Sequence, residues 1–184
     1  MFYHLFDTAF GTCAIAWSEV GLTRVLLPEA SPAATEVRLQ WGDALPATTP
    51  LPPFAKEAED ALQRYFVGAA ALLDMLRLDE RGVTAFNASI YRALREVPRG
   101  TTVTYGDLAK RVGQPRAARA VGVAMARNPW PVIVPCHRVL ASGSKVGGFS
   151  APGGVATKEK LLSHEGVVIG SPVLPGLFDR PSAT

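Results

Sequence analysis

The apolar spacing changes character near residue 80. Before it, residues 12–17 (TCAIAW) and 22–27 (LTRVLL) are strand-like runs around Gly21, which predicts a hairpin. Phe54, Ala58, Ala61, Leu62, Tyr65 and Phe66 recur at helical spacing with acidic residues early, predicting an amphipathic helix over 54–66, and a weaker helix is predicted over 35–41. A proline-rich connection joins the two over 46–53. The short apolar run 72–78 reads as a last strand, and Asp79-Glu80-Arg81-Gly82 as a boundary. Beyond it the period is helical. Thr84 caps a helix that places Phe86, Ile90, Leu94 and Val97 on one face, stopped by Pro98-Arg99-Gly100. Thr104 caps a second helix over 105–112, Gly113-Gln114-Pro115 turns the chain, and a third helix over 116–127 ends at Asn128-Pro129. Helix, glycine-bearing turn and helix form a helix-turn-helix pattern.

The pattern therefore predicts an α+β chain: a small α/β domain over 1–80, a helix-turn-helix domain over 84–170 and an irregular tail over 171–184. In the third helix Ala118, Val121, Ala124 and Met125 face the core, while Arg116 and Arg119 lie one turn apart near its start, where a recognition helix meets nucleic acid. The small residues Ala117, Ala118, Ala120, Gly122 and Ala124 suit either close approach to another surface or tight packing against a helix, and both readings stay open. Residues 131–134, apolar between prolines, read as a buried strand that delivers Cys136 to a pocket floor.

With 48% hydrophobic and 19% charged residues over 184 positions, the composition is that of a globular protein. The start lacks a basic region ahead of an apolar one, and no apolar run approaches the roughly 18 residues of a membrane span, so the expectation is a soluble, cytoplasmic protein with no membrane partner. Charge divides unevenly. Residues 1–80 carry five basic and eleven acidic side chains, a balance of −6; residues 81–170 carry thirteen basic and four acidic, a balance of +9. The second half has the footprint of a polyanion binder, and the first would be repelled by one.

Two cysteines are too few for a disulfide scaffold or a cysteine-rich zinc site. Cys13 sits in a strand pattern and reads as core. Cys136 lies in Pro135-Cys136-His137-Arg138-Val139, where an imidazole and a guanidinium favour the thiol's anion. Neighbouring side chains point apart on regular backbone, so His137 can act on Cys136 only across a turn or through a water.

Arg119-Ala120-Val121-Gly122, Asn128-Pro129, Pro135-Cys136-His137-Arg138-Val139 and Glu165-Gly166, in this order, resemble the O6-alkylguanine-DNA alkyltransferases, also called methylated-DNA–protein-cysteine methyltransferases. The resemblance covers about residues 86–167. It implies an N-terminal α/β domain and a C-terminal winged helix-turn-helix whose helix enters the minor groove of double-stranded DNA, with the O6-alkylguanine rotated out of the stack. It further implies that Cys136 accepts the alkyl group, His137 activates it through a water, and Glu165 orients the imidazole. Tyr105 would help rotate the nucleotide and protonate the departing guanine, Arg119 would fill the space left in the stack, and Asn128 would brace the segment leading to the thiol. Arg116, Ala120, Gly122 and Arg138 complete the implied DNA contacts. Val139, Phe149, Ser150 and Lys158 join Tyr105 at the implied substrate pocket. Phe149 stands where many relatives have tyrosine, which removes a hydroxyl from the pocket wall, and residues 151–154 lengthen the loop. Tolerance of bulky alkyl groups, and of O4-alkylthymine, stays open. Relatives that bind metal use N-terminal Cys and His ligands; Cys13 and His4 cannot supply a four-ligand zinc site, so neither metal nor cofactor is expected.

Alkyl transfer is an in-line displacement at saturated carbon. A free thiol is about 3% ionised at pH 7, so full ionisation offers at most about thirtyfold. A three-unit drop in pKa costs roughly 16- to 32-fold in nucleophilicity, which nearly cancels that gain and leaves alignment of sulfur, carbon and O6 as the main source of rate. The thioether product has no route to cleavage, so each molecule is expected to act once, as a monomer, with clustering along DNA left open and nucleoid association when bound. The alternatives are a non-catalytic sensor of alkylated bases, a winged-helix regulator, and a cysteine hydrolase built on the same Cys, His and Glu.

Overall fold

The computed structural model describes residues 1–40, 44–47 and 50–168; the tail over 171–184, and Trp41 at the end of the first predicted helix, lie outside them. Strand β1 (Phe2–Thr8) pairs antiparallel with β2 (Gly11–Trp17), and β2 with β3 (Leu22–Leu26), so the hairpin around Gly21 forms as expected. A side chain at Gly21 would begin 2.8 Å from the Arg77 carbonyl, which is why the turn takes glycine. The two-residue β4 (Leu45–Pro46) adds parallel to β1, giving the order β3-β2-β1-β4.

Strand β1 was not anticipated. Its apolar residues fall on both faces because both faces are covered, so the half-buried alternation that announces a strand is blurred. Tyr3 packs with Ala14, Ala16 and Leu39, the last from helix α1 (Pro32–Gln40); Phe6 packs in the main core with Cys13, Ile15 and the apolar face of helix α2 (Pro53–Phe66). Cys13 is fully buried there, as its strand pattern implied.

The run 72–78 is not a strand. Leu73 and Leu76 are buried while Leu72 and Met75 are exposed, a spacing of three that suits the 3₁₀ turn Leu73–Met75 and not the alternation of a strand. Only one isolated bridge, Leu22 with Leu78, remains of the expected pairing.

Helix α3 (Ala85–Arg95) begins where Thr84 accepts a hydrogen bond from the Asn87 amide at 3.2 Å. Helix α4 (Tyr105–Arg111) starts in a reciprocal capping box: the Thr104 hydroxyl accepts from the Asp107 amide at 3.1 Å, and the Asp107 carboxylate from the Thr104 amide at 3.3 Å. Helix α5 (Ala118–Ala126) starts two residues later than predicted, because residues 114–117 are held in a turn by the Ala117 amide donating to the Gln114 carbonyl. Helix α6 (Gly154–His164) closes the described chain, and β5 (Val103–Thr104) pairs in parallel with β6 (Val139–Leu140).

The expected strand over 131–134 is a buried turn. The Val134 amide donates to the Trp130 carbonyl at 2.8 Å, and Val132 is the one non-glycine described residue at positive φ, 76°. A β-branched residue in that region stores strain, and the surrounding packing must hold it. Two contacts do so from β3: the Val25 amide donates to the Pro129 carbonyl at 2.8 Å, and Trp130 Nε1 donates to the Leu22 carbonyl at 2.8 Å. Sheet and helices share one continuous core, running from Phe6, Trp17 and Phe66 through Ile90 and Leu94 to Leu108, Val121 and Trp130. Among the described residues no helix is long and apolar enough to cross a membrane.

Candidate active site

Cys136 opens a 3₁₀ turn, Cys136–Arg138, between the Val132 turn and β6. The backbone is thus irregular at the point where action of His137 on Cys136 requires a turn or a bridging water. Cys136 is 6% exposed, and its sulfur accepts from Asn128 Nδ2 at 3.2 Å. The same Asn128 amide donates to the Val134 carbonyl at 2.8 Å, and its Oδ1 accepts from the Trp130 amide at 3.0 Å, so this side chain staples the end of α5 to the thiol.

His137 is fully buried, with Nε2 2.8 Å from Glu165 Oε1. An ionised carboxylate only accepts, so Nε2 carries the proton and Nδ1 presents its lone pair. Nδ1 is buried with no protein partner among the described residues. Glu165 is the hub of this layer. Arg138 grips it through two nitrogens, each at 2.8 Å, and also donates to the Val97 carbonyl at 2.5 Å. Tyr65 donates its phenol to Glu165 Oε1 at 2.8 Å and stands 3.5 Å from His137 Nε2.

Burial sets the protonation states. It pushes the Cys136 thiol up, against the hydrogen bond from Asn128 and the field of Lys158, so the resting sulfur holds its proton more firmly than an exposed thiol. The expectation that flanking His137 and Arg138 favour the anion is thus corrected: Arg138 spends its charge on Glu165, and His137 is neutral. Burial also lowers the His137 pKa despite the Glu165 carboxylate. For Glu165, burial acts upward but is outweighed by the hydrogen bonds from His137 and Arg138, which hold it well below the usual carboxylate range. Burial pulls Lys158 down to about 8.

Tyr105, Gly122, Met125, Cys136, Phe149 and Ser150 line a cavity of about 280 Å³ with no charged side chain in its wall. A second cavity, about 300 Å³, also reaches Cys136, Phe149 and Ser150 and extends to β3. Two larger cavities of about 430 Å³ lie elsewhere and do not reach the thiol. Tyr105 is the first residue of α4, aimed by the capping box, and its ring meets the loop at Gly147, whose φ of 70° favours glycine. On α5, Gly122 faces open space where a side chain would begin, which favours close approach of another surface over helix packing. Arg116, Arg119 and Ala120 are exposed on the same helix region, and neither arginine has an ion pair or hydrogen bond among the described residues.

Three expected contacts belong elsewhere. Arg138 is 7% exposed with its guanidinium committed to Glu165, so it does not face DNA. Val139 and Lys158 are fully buried and do not line the pocket; Lys158 Nζ donates to the Val139 carbonyl at 2.6 Å and reaches the Gly148 carbonyl at 3.4 Å, supporting the pocket loop from behind. One participant was missed. Tyr65 had been read as part of an apolar helix face, and the only hint was that a buried phenol needs a partner. His164 donates to the Tyr65 carbonyl at 2.7 Å and packs edge-on against its ring at 5.3 Å.

Comparison with known proteins finds relatives over nearly the whole chain. The family of the 6-O-methylguanine DNA methyltransferase DNA-binding domain matches residues 85–167. The methylated-DNA–protein-cysteine methyltransferase of Methanosarcina acetivorans is 38% identical over 166 residues, covering 90% of this chain and 99% of that protein. That of Shigella flexneri is 35% identical over 163 residues, 89% and 88% of the two chains. The crystal structure of Mycobacterium tuberculosis OGT in complex with DNA superposes with a TM-score of 0.72 at 34% identity, covering 90% of this chain and 92% of that one. The O6-methylguanine-DNA methyltransferase of Pyrococcus kodakaraensis gives 0.67 at 28% identity, covering 90% and 98%. Near full-length identity above 30% places the chain in the methylated-DNA–protein-cysteine methyltransferase family.

Proposed function

We propose that this protein repairs DNA by direct reversal, accepting the alkyl group of a flipped O6-alkylguanine on Cys136. The observation that carries the reading is the placement of a buried thiol on the floor of a base-sized, uncharged cavity, directly before an imidazole whose free nitrogen is buried with it. The duplex is met by α5 and the turn before it: the exposed Arg116 and Arg119 attract the backbone, and Arg119, one turn before the pocket-lining Gly122, occupies the stack when the base leaves it. DNA enters as a double strand, and the protein works as a monomer.

The chemistry follows from the protonation states. Because burial keeps the sulfur protonated, the thiolate must form only as the substrate aligns. His137 Nδ1 takes the proton through one bridging water, and Glu165 steadies the imidazolium. Asn128 and the nearby Lys158 cation stabilise the developing anion. Sulfur then attacks the O6-bound carbon as the carbon–oxygen bond breaks, and the guanine receives a proton from Tyr105, since Phe149 has no hydroxyl to offer. Tyr105 itself resists ionisation because it is half-buried beside Cys136, so it acts as a donor that is reprotonated and not as a standing anion. The thioether has no leaving group as good as a thioester's, so the acceptor is consumed. Titrating protein against a duplex with one O6-methylguanine should repair one base per molecule and then stop; continued turnover would contradict the assignment.

A further inference from the structure

The second cavity at Cys136 differs from the first in charge. Its walls come from β3, α1, the end of α5 with the segment up to Pro131, and the pocket loop, and they include Arg24, Arg38 and Arg127 but no acidic side chain. Arg38 is engaged by Glu29 at 2.5 Å. The side chains of Arg24 and Arg127 have no ion pair or hydrogen bond among the described residues, and both residues are exposed at the cavity's edge. The first cavity, by contrast, is uncharged and of a size for the purine. Cys136, Ala126, Phe149 and Ser150 border both, so an O6-substituent attached at the reacting carbon has a second space to enter while the base occupies the first. About 300 Å³ corresponds to roughly ten water volumes, ample for several heavy atoms.

We infer that the second cavity is a substituent subsite, in which Arg24 and Arg127 receive the distal carboxylate of an O6-carboxyalkyl group and give the protein a preference for long anionic adducts. The inference rests on the alkyl-transfer reading above. The reaction balances as before: sulfur bonds to the first methylene, the bond from that carbon to O6 breaks, the thiol proton passes by way of His137, and guanine gains a proton while the carboxylate stays ionised on the thioether. A carboxylate beside a forming thiolate would slow attack by repulsion, and two guanidinium groups at the far end of the substituent offset it. The subsite includes an arginine from the sheet half, which the acidic balance of residues 1–80 had set against any anionic ligand.

The test uses full-length protein, the Arg24→Ala/Arg127→Ala double variant, and three duplexes bearing O6-(3-carboxypropyl)guanine, its neutral amide O6-(3-carbamoylpropyl)guanine, or O6-methylguanine. Single-turnover rates are compared as the ratio of acid to amide, so any general loss of DNA affinity cancels. The ratio should fall about five- to tenfold in the variant, the size expected for two exposed charge pairs. An unchanged ratio with all three rates reduced would assign both arginines to phosphates and overturn the subsite. Methyl transfer without carboxypropyl transfer in the unmodified protein would also overturn it, leaving the alkyl-transfer reading intact. No methyl transfer at all would remove that reading and the subsite with it.

Discussion

Arg116 and Arg119, in the turn before α5 and at its start, and Arg138 and Lys158 behind Cys136 come from one basic stretch of chain, yet they serve opposite ends. The first pair is exposed and without partners among the described residues; the second is buried, held by Glu165 and by backbone carbonyls. Others in the stretch are neutralised by the acidic half: Arg81 pairs with Asp79 and Glu19, and Arg92 with Glu80. The charge balance of the second half therefore overstates its cationic face. Arg116 and Arg119 stay in an exposed patch, which the proposed function sets against DNA, while Arg138 and Lys158 belong to a buried layer around the reactive turn. The patch should respond to salt, because exposed charges are screened; the buried layer should respond to pH instead.

The largest effect expected on the buried side is His137→Gln, which should slow single-turnover transfer by about 10²- to 10⁴-fold while leaving duplex affinity unchanged. Equal losses in rate and binding would merge the two regions that the comparison separates. On the exposed side, Arg119→Ala should slow transfer from a duplex by roughly tenfold or more and barely affect a single-stranded oligonucleotide, where no stack needs filling. Equal slowing on both substrates would return Arg119 to an ordinary surface charge.

The pH profile sharpens the buried side further. His137 is the base when neutral, and burial lowers its pKa, so the rate should hold as pH falls through the ordinary imidazole value of about 6.5 and decline only below it. Stability follows the same sign. The unfolded imidazole binds its proton first, so this contribution is complete above about pH 6.5 and is lost as pH falls toward the folded value. Tyr65→Phe removes one donor from Glu165 Oε1, leaving the carboxylate a stronger partner for the imidazolium. The acid limb should shift upward, and stability should drop by about 1 kcal/mol. A purely structural Tyr65 would lower stability without moving the limb. The smallest effect is Arg116→Ala, which should reduce the salt slope of duplex affinity by about one.

These regions were unequally legible in the sequence. Caps at Thr84 and Thr104, the hairpin at Gly21 and the helix-turn-helix are local, and local chemistry decides them. The Cys136, His137 and Glu165 set was recognisable as an ordered motif, and the structure pairs Glu165 with the His137 imidazole in the turn that Cys136 opens. Tyr65 was not legible, since its partner Glu165 lies 100 residues away and its neighbours on α2 are core. The fate of Arg138 and the acidity of Cys136 were misread for one reason: both depend on burial, and adjacency along the chain carries no information about solvent. The turn at 131–134 reads as a strand in the sequence because apolar composition reports burial without reporting backbone direction.

Intact-mass spectrometry after incubation with a duplex containing one O6-methylguanine, alongside Cys136→Ala, tests the central claim most directly. The account predicts a gain of about 14 Da, one methylene, located on Cys136, saturating at one per molecule and absent from the variant. An unchanged mass with tighter binding of the damaged duplex would contradict it and make the protein a lesion sensor with an inert thiol.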